Sequence, residues 1–197
     1  MLRSGLLVLA AVALTGCVDD RLRCGEATFS GDCVSVLSIV PTENGASTPD
    51  VDVVQGKCTD PSDSTKTVNE PFYGHSAIVT FANQGLSTQD PPELAPALVL
   101  SAYTVDFVAN EPCNACPALT SLSGQQSLTL LGGQQAQLTY PMVPLSTKAE
   151  FVSKGGRVND APSYSAVYTF TGKDPVNKVE LTAAATFTMA NFDNCQK

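Results

Sequence analysis

Tyr164-Ser165-Ala166-Val167-Tyr168-Thr169-Phe170, then a turn at Thr171-Gly172-Lys173-Asp174-Pro175, then Val179-Glu180-Leu181-Thr182-Ala183-Ala184-Ala185-Thr186-Phe187-Thr188-Met189 is the stretch on which the fold turns. In its first half Tyr164, Ala166, Tyr168 and Phe170 share one face. In its second half Val179, Leu181, Ala183, Ala185, Phe187 and Met189 do so, opposite Lys178, Glu180, Thr182, Thr186 and Thr188. A helix would scatter residues of such spacing around its circumference, whereas a strand places every second side chain on one side. Two such runs joined by a short turn predict an antiparallel hairpin.

Upstream, Leu98 to Val108 carries a similar signal, with Val99, Tyr103, Val105 and Phe107 on one face and Thr104 and Asp106 on the other. Ala77-Ile78-Val79-Thr80-Phe81 reads as a compact strand. Val34 to Val40 reads as the first strand, stopped by Pro41, and Val51, Val53 and Val54 as a short second one. Between them Asn44-Gly45 and Thr48-Pro49-Asp50 are turn signals. Residues 56–71 read as loop, and 84–96, with three prolines, as a connection. Leu122–Leu131 and Gln137–Tyr140 are either two strands or one broken edge. Pro141 and Pro144 keep the next stretch out of a central strand, and Val143–Phe151 has room for a helical turn. Glycine, proline, serine and threonine clusters between short apolar runs make an all-β sandwich the expected class. No internal repeat is visible.

Ser163-Tyr164-Ser165-Ala166-Val167-Tyr168, leading through the Gly172 turn into the final strand, resembles the last two strands of immunoglobulin-like and fibronectin-type sandwiches. The resemblance covers the C-terminal hairpin and, less closely, Leu98–Phe107. It implies an immunoglobulin-like antiparallel β-sandwich with irregular, disulfide-stabilised loops, and it brings no catalytic residue. The tryptophan usual in a central strand is missing, since the chain has none. Tyr164 falls where such domains place a tyrosine corner, which implies a packing role.

At the other end, Arg3 supplies a short positive region and Leu6–Leu14 are nine apolar residues in a row. That is the length of a signal-peptide core and well short of the ~20 residues that span a bilayer. The run ends in Leu14-Thr15-Gly16-Cys17, which resembles the lipobox of bacterial lipoproteins. The resemblance implies removal of residues 1–16 and acylation, with palmitate-like chains, of Cys17 as lipid attachment site. Several chains at ~0.8 kcal/mol per buried methylene make a durable anchor. Val18, where some inner-membrane lipoproteins carry aspartate, favours the outer membrane over the inner. The expected organisation is a signal peptide at 1–16, a lipid-anchored tether at 17–32 and one sandwich domain at 33–197.

Arg3 is the only charge in the removed segment, which leaves 19 acidic against 10 basic residues and a formal net charge of −9. An acidic surface of that size argues against nucleic acid as partner and against electrostatic docking on anionic lipid. Setting Cys17 aside, six cysteines remain: Cys24, Cys33, Cys58, Cys113, Cys116 and Cys195. An even number in an exported chain predicts up to three disulfides, and spacing alone does not choose among the connectivities.

Candidate chemistry is sparse. Gly74-His75-Ser76-Ala77-Ile78 imitates a nucleophile elbow, but Ile78 stands where Gly-x-Ser-x-Gly needs glycine, and the segment leads into a strand. His75 is the only histidine in the chain, so no second one remains to act as base. Cys113-Asn114-Ala115-Cys116 has redox spacing, yet Pro112 and Pro117 bracket it and no βαβ pattern supplies the helix N-terminus that would lower a thiol pKa. Haem attachment would need histidine at position 117, and zinc two further ligands. Asp60 and Asp63, with hydroxyl neighbours, lack the spacing of a calcium loop. Asp106 and Glu180 sit on polar strand faces with no sign of acting as a pair.

The expectation is therefore a non-enzymatic, lipid-anchored cell-envelope protein without cofactor or metal. It would serve as an accessory, binding or structural module for an envelope protein or glycan, met at loops or at a free strand edge. The alternative is an extracytoplasmic thiol/disulfide redox protein using Cys113 and Cys116.

Overall fold

The computed structural model describes residues 32–85, 96–111 and 116–195, with side chains given from Val34 to Gln84 in the first of these segments. Cys17, Cys24, Cys113, the signal peptide and nearly all of the tether lie outside the described residues, and for Cys33 only the backbone is described.

The chain is mostly strand and forms an all-β sandwich. One sheet has the order β2 (Ala46–Ser47), β1 (Asp32–Glu43), β6 (His75–Gly85), β9 (Gln135–Val143). The other has the order β3 (Asp50–Asp52), β11 (Lys178–Ala190), β10 (Ser163–Lys173), β7 (Leu98–Ala109), β8 (Leu122–Leu130). Strands one, two and five of the seven long ones thus face strands three, four, six and seven, a Greek-key sandwich in which the fourth strand lies beside the third and not beside the fifth as in an immunoglobulin constant domain. A separate hairpin joins β4 (Lys57–Asp60) to β5 (Asp63–Asn69). A helix, α1 (Leu145–Ser153), crosses between β9 and β10.

The C-terminal hairpin is as the alternation predicts. Tyr164, Ala166, Tyr168 and Phe170 are at most 1 % exposed, and Leu181, Ala185, Phe187 and Met189 lie buried beside them. Eleven successive rungs run from Ser163↔Thr188 to Lys173↔Lys178. The turn is tighter than the sequence suggests. Asp174 accepts hydrogen bonds from the backbone of Val176 (2.7 Å) and of Asn177, which closes the loop within four residues.

Across the core, Phe81 of β6 meets Phe170 edge-on with centroids 4.9 Å apart, and Tyr140 of β9 meets Tyr103 and Phe170 at 5.0 Å each. These aromatic contacts join the two sheets, and each contributes about 0.5–1.5 kcal/mol beyond the burial of its area.

Four expectations need correction. Pro41 does not stop the first strand: β1 continues to Glu43, because Pro41 lies opposite Ala77 of β6 near the place where only the two-residue β2 flanks it. Residues 56–71 are no loop, since β4 and β5 pair from Lys57↔Asn69 to Asp60↔Asp63. Their polar, threonine-rich sequence, lacking a buried face of its own, hid the pairing. The strand at 98–108 changes phase: Leu98 and Leu100 are buried, then a bulge at Ser101 shifts the inward set to Tyr103, Val105 and Phe107. Val99 therefore lies on the opposite face from the one its spacing to Tyr103 implies. Tyr164 is not a tyrosine corner. Its hydroxyl donates to the carbonyl of Pro117, 3.1 Å away and 47 residues upstream.

The bulge makes one glycine obligatory. A Cβ on Gly172 would collide with the Val99 carbonyl oxygen and sit 2.8 Å from Leu100 Cα, both backbone atoms that cannot swing aside. Gly172→Ala is expected to destabilise the fold by about 1–3 kcal/mol, read as a lower denaturation midpoint with an unchanged denaturant slope.

Candidate functional site

The cleft of interest lies at the end of the sandwich where β1, β2, β3 and the C-terminal tail meet. It has a volume of about 470 Å³ and is lined by Glu43, Ser47, Asp50, Pro71, Tyr73 and Asn194, among others. Local sequence builds each wall. Asn44 and Gly45 take positive φ (47° and 84°), the pairing that a type I′ hairpin turn requires, and so fold Ala46 back onto Glu43. Thr48 Oγ1 accepts from the Asp50 amide at 3.1 Å and turns the chain into β3, which runs parallel to β11. Tyr73 stands on the rim with 45 % of its surface exposed.

Behind this wall lies a charged cluster. Lys148 is fully buried, and its Nζ is 3.5 Å from Glu43 Oε1 and 4.5 Å from the centre of the Phe72 ring. His75 is 1 % exposed. Its Nε2 lies 2.9 Å from the Asp50 carbonyl oxygen and its Nδ1 3.6 Å from Glu43 Oε1. A carbonyl can only accept, so Nε2 carries the proton and Nδ1 faces the carboxylate. The cluster joins β1, β6 and α1 and holds the Asp50 backbone in position at the cleft. Ser76, by contrast, pairs with Thr42 and Pro141 in the ladder. The chain runs straight from His75 into β6, so the turn that would expose a nucleophile is not formed.

A second polar cluster braces the tail side. Asp52 is 1 % exposed and accepts from the backbone amides of Val54 and Phe192 (3.2 Å each) and from Asn194 Nδ2 (3.4 Å). Its carboxylate is also hydrogen-bonded to Glu70, which is 4 % exposed. Burial first, and then that hydrogen bond and the nearby charges of Asp52 and Asp193, push the Glu70 carboxyl above its ordinary range. Two carboxyl groups in hydrogen-bond contact need one proton between them.

A pH dependence results. A carboxyl whose pKa is raised by folding contributes stability fully below its unfolded pKa of 4.5, and that contribution is lost as pH rises through the higher folded value. Glu70→Gln, which keeps a donor toward Asp52 but cannot ionise, is expected to remove this loss. Denaturant titrations from mildly acidic to neutral pH should show the variant gaining on the parent as pH rises.

Cys58 and Cys195 form a disulfide beside Glu70, with Cα atoms 5.3 Å apart. The two sulfurs are bonded to each other, so the cluster they make with the Glu70 carboxylate presents no thiolate to a metal. Cys116 is also disulfide-bonded and packs at the edge of the core. The loop that carries it is gripped from three sides. Tyr164 donates to Pro117, Lys154 Nζ donates to the Ala118 carbonyl at 2.8 Å, and Glu150 accepts from the Thr120 amide at 3.1 Å and its hydroxyl at 2.6 Å. Burial pushes the Tyr164 hydroxyl up to about 12, which keeps it a donor at any physiological pH.

The remaining candidates are dispersed. Asp60 and Asp63 cap the β4–β5 turn by accepting from the Ser62 and Thr65 amides and hydroxyls, and Lys66 lies 2.9 Å from Asp63. Those hydroxyl hydrogen bonds hold both carboxyls below the usual range. Asp106 accepts from Ser121 and lies opposite Val167 of β10, whereas Glu180 lies opposite Thr171, so the two share no rung. What sequence reasoning missed is the set Glu43, Lys148, Asp52 and Glu70. Charged residues scattered over more than a hundred positions meet only through the fold. Glu150 and Lys154, four residues apart at the C-terminal end of α1, form a 2.6 Å ion pair of their own.

No family model matches the chain, and no curated protein matches it. A solved structure of a protein from Archaeoglobus fulgidus is similar over 78 % of this chain and 97 % of its own length, at 10 % identity and a TM-score of 0.38.

Proposed function

We propose that the chain is a lipid-anchored, non-enzymatic module of the bacterial cell envelope, outer membrane in preference to inner, that recognises an envelope protein or glycan at the end of its sandwich. The cleft carries this reading. Its walls are fixed by a hairpin turn, by the Glu43–Lys148–His75 cluster and by the disulfide-tied tail, and its rim presents an exposed aromatic side chain beside carboxylates. Such preformed concavities with few convergent polar groups are the usual form of a recognition site. Tyrosine at the rim adds a large contact area at small entropic cost. The Leu14-Thr15-Gly16-Cys17 motif supports the anchor.

Two measurements test it. Mass spectrometry of the purified protein should find Cys17 acylated as the first residue, and an unmodified cysteine would remove the anchor. Affinity capture from detergent-solubilised envelope should return a partner that Tyr73→Ala loses. No partner, or one held equally by the variant, would remove the cleft from the reading. The redox alternative is separated by thiol mapping: the gripped, core-packed setting of Cys116 supports a structural cross-link, and a readily reduced Cys113–Cys116 pair would favour redox work instead.

A further inference from the structure

From Pro112 to Thr147 the chain contains no Asp, Glu, Lys or Arg, although the whole carries 19 acidic and 11 basic residues. Topology gathers the two strands of this tract, β8 and β9, on one side of the sandwich. β8 closes one edge of the five-stranded sheet, β9 closes one edge of the four-stranded sheet, and a tight turn at Leu131–Gln134 joins them. β9 is guarded by Pro141, which has no N–H to offer a newcomer. β8 has no proline, no charge and nine residues of unbroken in–out alternation, with Ser123, Gln125, Ser127 and Thr129 exposed. Its one irregularity is Gln126 and Ser127 standing against Ser101 of β7. Among the described residues no strand pairs with its outer edge.

We infer that β8 is a self-association edge: a second copy of this chain adds its own β8 antiparallel across a two-fold axis and joins the two five-stranded sheets. Charge selects the occupant. Two copies with a net charge of −8 each repel over most approaches, whereas β8 pairs with a second β8 without setting one charged side chain against another. A basic partner would find no carboxylate on β8 itself. The strand is also self-complementary, as an isologous contact must be. With Gln126 on the axis, Ser123 faces the partner's Thr129 and Gln125 faces the partner's Ser127. These are hydroxyl and amide pairs of the kind that stabilise adjacent strands.

The test uses the full chain in mild detergent, with light scattering corrected for bound detergent over a dilution series. The parent should pass from dimer to monomer on dilution, and the β8 amides should exchange hydrogen more slowly at the concentrated end. Gln125→Lys with Ser127→Lys sets like charges across the new ladder and should weaken dimerisation by about tenfold or more. Thr186→Lys, on the exposed face of β11, should leave it unchanged. A parent that is monomeric throughout, β8 exchange independent of concentration, or a dimer indifferent to the two lysines would each overturn the assignment.

Discussion

Replacing both Cys58 and Cys195 with alanine is expected to lower stability by about 4–5 kcal/mol, the largest single loss in this fold. The bridge closes a loop with 137 residues of sequence separation, and in the chain-entropy account a loop longer than about 100 residues contributes near the top of the range for a disulfide. Its position adds a local effect. The β4–β5 hairpin belongs to neither main sheet. Beyond the bridge it is held by Glu70 against Asp52 and by Gln55 Nε2 donating to the Glu70 carbonyl at 3.1 Å. Denaturant titration of parent and double variant under non-oxidising conditions measures the total. Hydrogen exchange locates it, with the amides of 57–69 losing protection ahead of β10 and β11. A loss under about 1 kcal/mol would mean that the unfolded chain is already constrained there by other bridges.

Much of the architecture was legible because it rests on alternation, and alternation is local. Tyr164 to Phe170 and Val179 to Met189 declare their inward face within a dozen residues, and the structure buries most of it, with Val179 and Ala183 half-buried. Legibility fails wherever a non-local event resets the pattern. The Ser101 bulge moves Val99 to the other face, and nothing within residues 98–108 signals it. The signal is in Gly172, on the neighbouring strand β10 more than sixty residues along the chain, whose missing Cβ makes room for the Val99 carbonyl. β4 and β5 were unreadable for another reason. Their exposed pattern carries no buried face, and only Cys58 turns inward, toward a partner at the far end of the chain. The cleft was legible only at its corners. Asn44-Gly45 predicts the turn that forms one wall, but Glu43, Lys148 and His75 carry no spacing signal because β1, β6 and α1 bring them together.

Lys148→Ala is expected to cost about 3–5 kcal/mol, because it removes one partner from a buried charged pair and leaves the other in place. Glu43 is 8 % exposed and keeps its carboxylate 3.5 Å from the vacated position, with the Phe72 ring also losing its cation. Lys148→Met, which restores the apolar stem without the charge, should recover the packing part and leave the electrostatic part. Glu43→Gln combined with Lys148→Met should recover part of the remainder, since a neutral pair of similar volume no longer leaves a buried carboxylate without its ammonium partner. The double-mutant cycle from denaturant titrations therefore gives a coupling energy with the double variant more stable than the sum of the singles predicts. The consequence for the cleft is testable on the same variants. Glu43 and the Asp50 carbonyl are tied through His75, so loss of Lys148 should loosen the β1–β2 turn and β3 together, seen as faster amide exchange at 43–50 with β10 and β11 unaffected. Additive single-variant losses, or exchange confined to α1, would mean that Lys148 serves only to seat the helix and that the wall of the cleft stands without it.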